Sequence, residues 1–274
     1  TLFRSMNFVT LVTTFHKSEE EIKSLIVHNN LQGRVLVGDQ CGQASQKELG
    51  QIGKAEVTLY FFDSKGLSNN RNALLQKTNA DIVSFADDDI VFIDNYPGIV
   101  LEDFERHPDA QMIRYNITSS NPQRPIPQIS KEKKVGFHQV SKYGVWGFFF
   151  KRSFLIGHQL SFHPELGPGV QKSHGEDTVY LKEFMDQKPK AYQIPLVIGT
   201  TPMANSSWYG QDVQNDIVTE GYVYRLNRKK MAMPFGIYRY FVHHSFFPGV
   251  SLHRFIELFH QGIREADAYK AQRR

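Results

Sequence analysis

The strongest constraint on the fold is an alternation of strand-like and helix-like segments through the first 117 residues. The strand-like segments are short, apolar and rich in β-branched residues, and they are residues 8–14, 34–39, 56–62, 81–86 and 110–117. The segments between them are helical in periodicity or composition, and they are residues 18–31, 44–52, 68–78 and 96–107. Apolar strands separated by single helices predict βαβ units, and hence an α/β fold with a mostly parallel sheet covered on both faces.

Local signals mark the starts of two of these helices. Ser18 and Glu21 have the spacing of a capping box. The apolar face that follows them consists of Ile22, Leu25 and Ile26. The segment 68–78 begins with Ser and Asn residues, so we expect one of these side chains to cap its helix.

The alternation ends after Ile117. Residues 118–134 contain three prolines and little periodicity, which predicts an exposed loop. Later segments predict an aromatic strand or strand pair, a glycine-punctuated loop that leads into a helix near Glu176, a late strand, and helices from residue 216 onward. The first three of these are residues 143–157, 162–175 and 191–200. We expect one domain over residues 1–274, with subdivisions 1–117, 118–215 and a helical tail, 216–274.

Composition excludes several classes of protein. The chain is 41% hydrophobic and 22% charged, as is usual for a soluble globular protein. Its net charge of +4 is too small to indicate a nucleic-acid partner, and no nucleic-acid-binding module is recognisable. The single cysteine, Cys41, excludes an internal disulfide and fits a reducing cytoplasm. No segment has the length and hydropathy of a membrane span or a signal peptide.

Three consecutive aspartates, Asp87, Asp88 and Asp89, follow the apolar strand of residues 81–86. The carboxyl ends of parallel strands form the ligand-binding edge of such sheets, and Asp39 lies at the end of another strand. Carboxylates there can hold Mg²⁺ or Mn²⁺, which prefer oxygen ligands. The alternative is a solvated turn. An EF-hand loop and an Asp-nucleophile phosphatase motif do not fit, the latter because Val91 stands where a Thr is required.

The segment KGLSNNRNALL places Gly66 just before a predicted helix and Arg71 one turn inside it. Free backbone N–H groups at a helix N-terminus favour an anion. The alternative is an arginine on the exposed face of an amphipathic helix.

The segment SHGEDTVYL places Glu176 and Asp177 at the start of a predicted helix, behind Gly175. Acidic residues are favoured in a first helical turn by the helix dipole alone. In a cleft, a carboxylate so placed can instead take a proton from an incoming hydroxyl group.

In this order, the segments TLVTTFHK, VGDQ, GLSNNRN, FADDDI and FHPELGPGVQKSHGED resemble the family 2 inverting glycosyltransferases of the GT-A fold. They are most similar to bacterial enzymes that build exopolysaccharide, capsule or lipopolysaccharide. The similarity runs over residues 8–178, and NSSWYG and the tail are more weakly similar. No single segment is specific for the family, whereas the ordered set of segments at these spacings is.

The resemblance implies that residues 1–117 bind a nucleoside-diphosphate sugar. Asp39 would accept a hydrogen bond from the imide N–H of the base, which favours UDP or dTDP although guanine also presents an N–H. Arg71 and the loop around Gly66 would lie by the ribose or the diphosphate. The donor-binding residues that the resemblance implies are Thr13, Thr14, Phe15, Asp39, Gly66, Asn70, Arg71, Asp87 and Asp88.

The resemblance also implies a metal site and a catalytic base. Asp87 and Asp89 match the Asp-x-Asp motif of the family, with Asp89 as the main ligand of Mn²⁺ or Mg²⁺. Asp177 matches the base, and Glu176 is its catalytic neighbour. Asp177 would deprotonate an acceptor hydroxyl that attacks the anomeric carbon, inverting its configuration in one displacement.

Two other functions remain as alternatives. A sugar nucleotidyltransferase also uses an α/β sheet and acidic metal ligands, but VTTFHKSEEE lacks the glycine-rich, basic signature expected near its first strand. A non-catalytic nucleotide-sugar-binding relative would be free to lose one acidic motif, whereas this chain has both.

The C-terminal tail suggests that a glycan or lipid-linked acceptor would be bound at a membrane surface. Residues Leu252–Ile263 repeat apolar side chains at helical spacing behind several basic residues, which predicts peripheral contact with the inner face of the cell membrane. The alternative is that this stripe packs on the domain or across a dimer. No motif identifies a late histidine ligand to the metal among His243, His244, His253 and His260, and His174 is a candidate for contact with the acceptor or the phosphate.

Overall fold

The computed structural model describes residues 6–141, 143–203 and 212–272, so the segment NSSWYG lies outside the described residues. The strands are β1 Phe8–Phe15, β2 Gln32–Gln40, β3 Ser45–Ile52, β4 Lys54–Phe62, β5 Ile82–Ala86, β6 Val91–Phe92, β7 Met112–Ser119, β8 Lys133–Lys134, β9 Phe148–Lys151 and β10 Ala191–Thr201. The α-helices are α1 Glu19–His28, α2 Leu67–Gln76, α3 Tyr96–Arg106, α4 Phe137–Val140, α5 Arg152–Gly157, α6 Glu176–Asp186, α7 Val213–Arg228, α8 Ala232–Val242 and α9 Leu252–Gln272.

The strands described above form one mixed sheet in the order β3-β4-β2-β1-β5-β9-β7-β10-β6, and β8 pairs with β10. Strands β4, β2, β1 and β5 are parallel neighbours, as the alternation predicts. Strand β9 enters antiparallel between β5 and β7, so β7 and β10 run in the same direction as β5, and other antiparallel strands join at the edges. The predicted α/β fold with a mostly parallel sheet is confirmed, with antiparallel strands at β9 and at the edges.

Helices cover both faces of this sheet. On one face, α1 and α3 pack against alternate residues of β2 such as Val35 and Val37. On the other face, α2 and α6 pack against Leu36 and against Phe148 and Phe150 of β9. The Ser18 capping box at the start of α1 is confirmed, since the Ser18 N–H donates to the Glu21 carboxylate at 2.8 Å and the Glu21 N–H donates to Ser18 Oγ at 3.3 Å.

The predicted helix over residues 44–52 is wrong, because this segment forms β3 and pairs antiparallel with β4. Thr58 Oγ1 on β4 donates to the Glu48 carboxylate at 2.7 Å, and a bulge lies between Glu48 and Gly50, where φ is +69°. Helix propensity is a weak preference that cross-strand pairing overrides. The segment therefore extends the edge of the sheet.

The aromatic segment 143–157 contains a single strand. A short 3-10 helix, Val145–Gly147, precedes β9, and α5 follows it directly. Phe148, Phe149 and Phe150 are all fully buried, because β9 lies in the middle of a sheet that is covered on both faces. Such a strand shows no alternation of apolar and polar residues, so its ends were not visible in the sequence.

Helices α7, α8 and α9 form a separate apolar cluster, in which Ile217, Tyr240, Phe255 and Phe259 are buried. The stripe Leu252–Ile263 therefore packs on neighbouring helices, as its alternative interpretation has it, and membrane contact through the tail stays a prediction. In the parts of the chain that the structure describes, none of the helices is long and apolar enough to cross a membrane.

Candidate active site

One buried guanidinium group joins the two acidic motifs. Arg71 Nη2 donates to Asp87 Oδ1 at 2.7 Å, and Arg71 Nη1 donates to Asp177 Oδ1 at 2.8 Å. The Arg71 side chain is 1% exposed, whereas the side chains of Asp87 and Asp177 are 34% and 20% exposed. The two carboxylates therefore border solvent, and the cation that holds them together lies beneath the surface.

The fold brings Arg71 to this position through the start of α2. Gly66 has a φ of +96°, which glycine adopts without strain, and α2 begins at the next residue. One turn later, Arg71 faces the sheet with its guanidinium 5.0 Å from the Phe162 ring, which stacks on Tyr180. Burial opposes the charged form of Arg71, but the charges of Asp177 and Asp87 outweigh it and raise the arginine pKa.

Asp177 lies in the first turn of α6, which begins after Gly175, where φ is +94°. Its second oxygen, Oδ2, accepts a hydrogen bond from the Val145 N–H at 2.9 Å, so both carboxylate oxygens are held. Burial raises the pKa of Asp177, while the Arg71 guanidinium opposes that rise. A carboxylate with a raised pKa and a fixed orientation is suited to accept a proton.

Glu176 lies beside Asp177 and packs against Gly167, where an added Cβ would stand 3.2 Å from the Glu176 side chain. Burial raises the pKa of Glu176 to about 8, the charge of Asp177 adds to the rise, and Arg71 opposes it. Glu176 is therefore mainly protonated at neutral pH. The protonated Glu176 adds no negative charge beside Asp177.

The three consecutive aspartates have three different partners. Asp87 pairs with Arg71, Asp88 forms an ion pair with Lys17 at 3.2 Å, and Asp89 accepts a hydrogen bond from Thr201 Oγ1 at 3.1 Å. Asp88 and Asp89 also line a cavity of about 570 Å³, together with residues at the end of β10. The cluster is thus divided between a buried cation on one side and an open cavity on the other.

Asp89 fits a hard divalent cation, although the protein supplies few ligands. Burial raises the pKa of Asp89, and the neighbouring charge of Asp87 adds to the rise, so a cation nearby would favour the ionised form. Within residues 6–141, 143–203 and 212–272, no group of three His, Cys, Asp or Glu side chains could hold a metal ion. A bound Mg²⁺ or Mn²⁺ would take its remaining ligands from substrate phosphates and water.

The histidine candidates differ in exposure. His174, the candidate for acceptor or phosphate contact, is largely buried, and its Nδ1 is 3.7 Å from Asp216 Oδ1 on α7. Burial lowers the pKa of His174 to about 4, so it is neutral at pH 7. The candidates near or on the last two helices are all exposed, and they are His243, His244, His253 and His260.

Asp39 is fully buried at the end of β2. Its Oδ2 accepts hydrogen bonds from Thr14 Oγ1 at 2.7 Å and from the Lys17 N–H at 3.1 Å, whereas its Oδ1 has no partner among the described residues. Thr13 Oγ1 is buried without a described partner as well. Phe15, next to them, is 60% exposed. A ligand N–H would satisfy Asp39 Oδ1, but only after the residues that cover it have moved.

Other predicted donor-binding residues hold the scaffold together. Asn70 is buried, and its Nδ2 donates to the Gly38 carbonyl at 2.7 Å, which joins α2 to β2. Ser68 does not cap α2, since its hydroxyl donates to the Leu166 carbonyl at 2.7 Å. The Leu67 N–H, expected to be free for an anion, donates to the Pro168 carbonyl at 2.9 Å. The start of α2 is therefore docked on the loop of residues 163–175.

The sequence did not point to four of the contacts in this site, which involve Lys17, Val145, Phe162 and Thr201. Thr201 ends β10, and because β9 is antiparallel to both β5 and β7, the ends of β5 and β10 meet at one edge of the sheet. The sequence does not reveal this strand order, which is why it did not point to Thr201. Val145 contributes a backbone N–H, for which no sequence signal exists.

The strand order and the acidic edge define a GT-A fold, the architecture of nucleotide-sugar glycosyltransferases. The family model described as "Glycosyl transferase family 2" matches residues 22–163. The chain belongs to glycosyltransferase family 2.

Solved structures of other glycosyltransferases share this fold at low sequence identity. S. aureus TarS 1–349 in complex with UDP-GlcNAc aligns with a TM-score of 0.64 and 16% identity, over 96% of this chain and 83% of that one. GalNAc-T7 with UDP, GalNAc and Mn²⁺ aligns with a TM-score of 0.56 and 10% identity, over 98% of this chain and 58% of that one. The mannosyltransferase PcManGT of Pyrobaculum calidifontis, with GDP-Man and Mn²⁺, aligns with a TM-score of 0.51 and 13% identity, over 98% of this chain and 75% of that one. A comparison with curated proteins gave no match.

Proposed function

We propose that the protein is a metal-dependent inverting glycosyltransferase. It moves a sugar from a UDP- or dTDP-sugar to a hydroxyl of a glycan or lipid-linked acceptor in the synthesis of bacterial surface polysaccharide. The observation that carries this proposal is the contact of one buried arginine with both acidic motifs, at 2.7 Å to Asp87 and 2.8 Å to Asp177. Residues that the family resemblance assigns to the donor and to the base thus meet in one place.

The complexes of the structural neighbours support a nucleotide-sugar donor. TarS was solved with UDP-GlcNAc, GalNAc-T7 with UDP and PcManGT with GDP-Man. The unsatisfied Asp39 Oδ1 supports a base with an N–H donor, as in uracil or thymine. Thr13, Thr14 and Phe15 adjoin it on β1 and would line the base.

Asp177 is the base in this proposal. Each carboxylate oxygen has two acceptor positions, so an acceptor hydroxyl can still donate to Asp177 while Arg71 and Val145 hold it in place. The hydroxyl oxygen then attacks the anomeric carbon as its proton passes to Asp177. The proton is well accommodated there, because burial raises the pKa of this carboxyl group. Glu176, mainly neutral, adds no second charge beside it.

Asp89, with Asp87, would hold the Mn²⁺ or Mg²⁺ ion. When bound, such an ion stabilises negative charge on the leaving nucleoside diphosphate. Arg71 fixes Asp87 and keeps it from turning away from the donor site.

Donor hydrolysis tests the proposal without knowledge of the acceptor. Purified protein is incubated with UDP- and dTDP-sugars and Mn²⁺, and the released nucleoside diphosphate is measured, with GDP-sugars as the comparison. We expect slow, Mn²⁺-dependent release that Asp89→Ala abolishes and that the exposed-surface control Glu102→Gln leaves unchanged. Pyrophosphate-dependent exchange without release of nucleoside diphosphate would contradict the proposal and favour a nucleotidyltransferase.

A further inference from the structure

The exposed apolar side chains of this protein are concentrated on one short segment. Nine large apolar residues are exposed in the described chain, and five of them lie between residues 231 and 246. They are Met231, Tyr238, Phe241, Val242 and Phe246, each 50–65% exposed. Contiguous exposed apolar surface on a soluble domain is characteristic of an interaction site.

These residues occupy the outer face of α8 and the turns on either side of it. The inner face consists of Ala232, Gly236 and Tyr240, four residues apart, and it is buried against α9, where Gly236 contacts the Phe259 ring. On the outer face, Met231, Pro234, Tyr238 and Phe241 recur every three or four residues. That recurrence makes one continuous apolar stripe along the helix.

The sequence segment that contains the stripe has basic residues but no acidic ones. Residues 221–256 contain no Asp or Glu. Some of their cations are neutralised by acids outside the stretch, through the pairs Arg225–Asp267, Arg239–Glu220 and Arg254–Glu257. Lys229 and Lys230 are exposed at the N-terminal end of α8 without an ion pair to any described carboxylate. The end of the stripe therefore presents a cationic rim.

We propose that this α8 surface, formed by Met231, Pro234, Tyr238, Phe241, Val242 and Phe246 with Lys229 and Lys230, docks the protein on an anionic lipid bilayer. A helix with an apolar face and basic flanks lies in the plane of the interface, its apolar side chains among the acyl chains and its lysines at the anionic headgroups. Charge complementarity favours this occupant over a second copy. In a symmetric contact between two α8 surfaces, the segment 221–256 of the second copy would offer no carboxylate to these lysines, because it contains no Asp or Glu.

Docking on a bilayer would place the protein where a lipid-linked acceptor is found, which extends the proposed function. The docking proposal does not depend on that function. The surface contains none of the residues assigned to the donor, metal or base. Binding to vesicles and hydrolysis of a soluble donor can therefore be measured separately, and either can fail while the other holds.

Co-sedimentation with vesicles tests the docking surface. We expect the full chain to bind vesicles that contain phosphatidylglycerol, to bind phosphatidylcholine vesicles weakly, and to lose binding as salt is raised. The double variant Tyr238→Ser/Phe241→Ser should bind at least about tenfold more weakly, because it removes two apolar side chains from the interface. Lys229→Glu/Lys230→Glu should also weaken binding, mainly at low salt.

Matched controls separate the surface from general charge and hydrophobicity. Val27→Ser changes an equally exposed apolar residue on α1, and Lys131→Glu/Lys133→Glu makes the same change in net charge elsewhere. Both should bind like the wild type, and every variant should keep its melting temperature. Equal binding by the α8 variants and the wild type overturns the proposal. So does a wild type that binds no anionic vesicle but forms a dimer that Tyr238→Ser/Phe241→Ser dissociates, since the surface would then join two copies.

Discussion

Arg71 is the residue on which the two acidic motifs depend. A buried arginine needs its negative partners, and each carboxylate in turn is oriented by it. Arg71 also opposes the rise that burial causes in the pKa of Asp177. Its effect on catalysis is therefore one of position and proton affinity rather than of direct contact with the reacting atoms.

Arg71→Met should show both effects. Removing one partner of a buried ion pair costs about 3–5 kcal/mol, so we expect a loss of that size in the free energy of unfolding, measured with urea. Without the guanidinium the pKa of Asp177 should rise further, and the acidic limb of the pH–rate profile should move to higher pH. Arg71→Lys keeps the charge and should move that limb less. A profile unchanged in Arg71→Met would show that Arg71 does not act on the base.

Glu176 should make stability fall as the pH rises. Its pKa is about 8 in the folded protein, above the ordinary value of 4.5, so the folded state holds the proton more tightly than the unfolded state. The free energy of unfolding should therefore decrease between about pH 4.5 and pH 8. Glu176→Gln should remove most of this decrease and be more stable than the wild type at pH 9, by a few kcal/mol at about 1.4 kcal/mol per pKa unit.

Urea unfolding from pH 5 to pH 9 measures this effect. Glu102→Gln, on the exposed face of α3, is the control and should follow the wild type at every pH. Parallel curves for Glu176→Gln and the wild type would mean that Glu176 is ionised in the folded protein at neutral pH.

At the scale of single residues, the sequence indicated which residues are candidates for the site but not which contacts they make. The separation of roles within Asp87, Asp88 and Asp89 became visible only with the partners Arg71, Lys17 and Thr201. These contacts join segments that are distant in sequence, and no local pattern encodes them. The Ser18–Glu21 capping box, by contrast, was predictable because all of its hydrogen bonds lie within one turn.

At the scale of elements, the contact between β2 and α2 leaves no room for a side chain at Gly38. A Cβ there would lie 2.1 Å from Asn70 Oδ1 and 3.0 Å from Leu74 Cδ1. Gly38→Ala should displace Asn70 and lower the free energy of unfolding by about 1–3 kcal/mol, as overpacking does. Gly157→Ala is the control, since a Cβ at Gly157 would meet nothing within 4 Å. Equal stability of the two variants in urea would show that α2 can shift at little cost.

Helices α7 and α9 cross with their backbones in contact. A Cβ on Gly262 would lie 1.9 Å from the Val218 carbonyl oxygen, and one on Gly221 would lie 2.1 Å from the Phe259 carbonyl oxygen. In an isolated helix, Ala is more favourable than Gly by about 1 kcal/mol. Here the contact should reverse the sign, and we expect Gly262→Ala to lower the melting temperature. A higher melting temperature would contradict the close crossing.

The elements also show where periodicity stops being informative. The apolar stripe of Leu252–Ile263 predicted a helix correctly. An amphipathic pattern does not show which surface the apolar face contacts, and here Phe255 and Phe259 pack on neighbouring helices. Segment 44–52 has helix-forming residues, yet its pairing with β4 decides its structure. Membership of an edge strand is a tertiary property that composition does not reveal.

At the scale of the whole molecule, the alternation of strands and helices predicts the α/β class. The sheet topology brings the residues of the candidate site together at one edge. Asp39, Asp87 and Thr201 come from the ends of β2, β5 and β10 or just beyond them, at one edge of the sheet. Asp177 joins them from α6 through Arg71 on α2. The order of strands across β9 could not be read from the sequence, because β9 runs antiparallel to both of its neighbours.

The central claim is that Asp177 takes the proton from the acceptor, and Asp177→Asn tests it most directly. The asparagine is close in size to the aspartate but cannot act as a base at neutral pH. We expect the rate of sugar transfer to fall by about 10²–10⁴-fold, the contribution typical of a general base. The dissociation constant for the nucleoside diphosphate with Mn²⁺, measured by titration calorimetry, should stay at the wild-type value. The melting temperature should fall, because the buried Arg71 loses one of its two charged partners. Turnover near the wild-type rate in a folded, nucleotide-binding Asp177→Asn protein would contradict the assignment of Asp177 as the base.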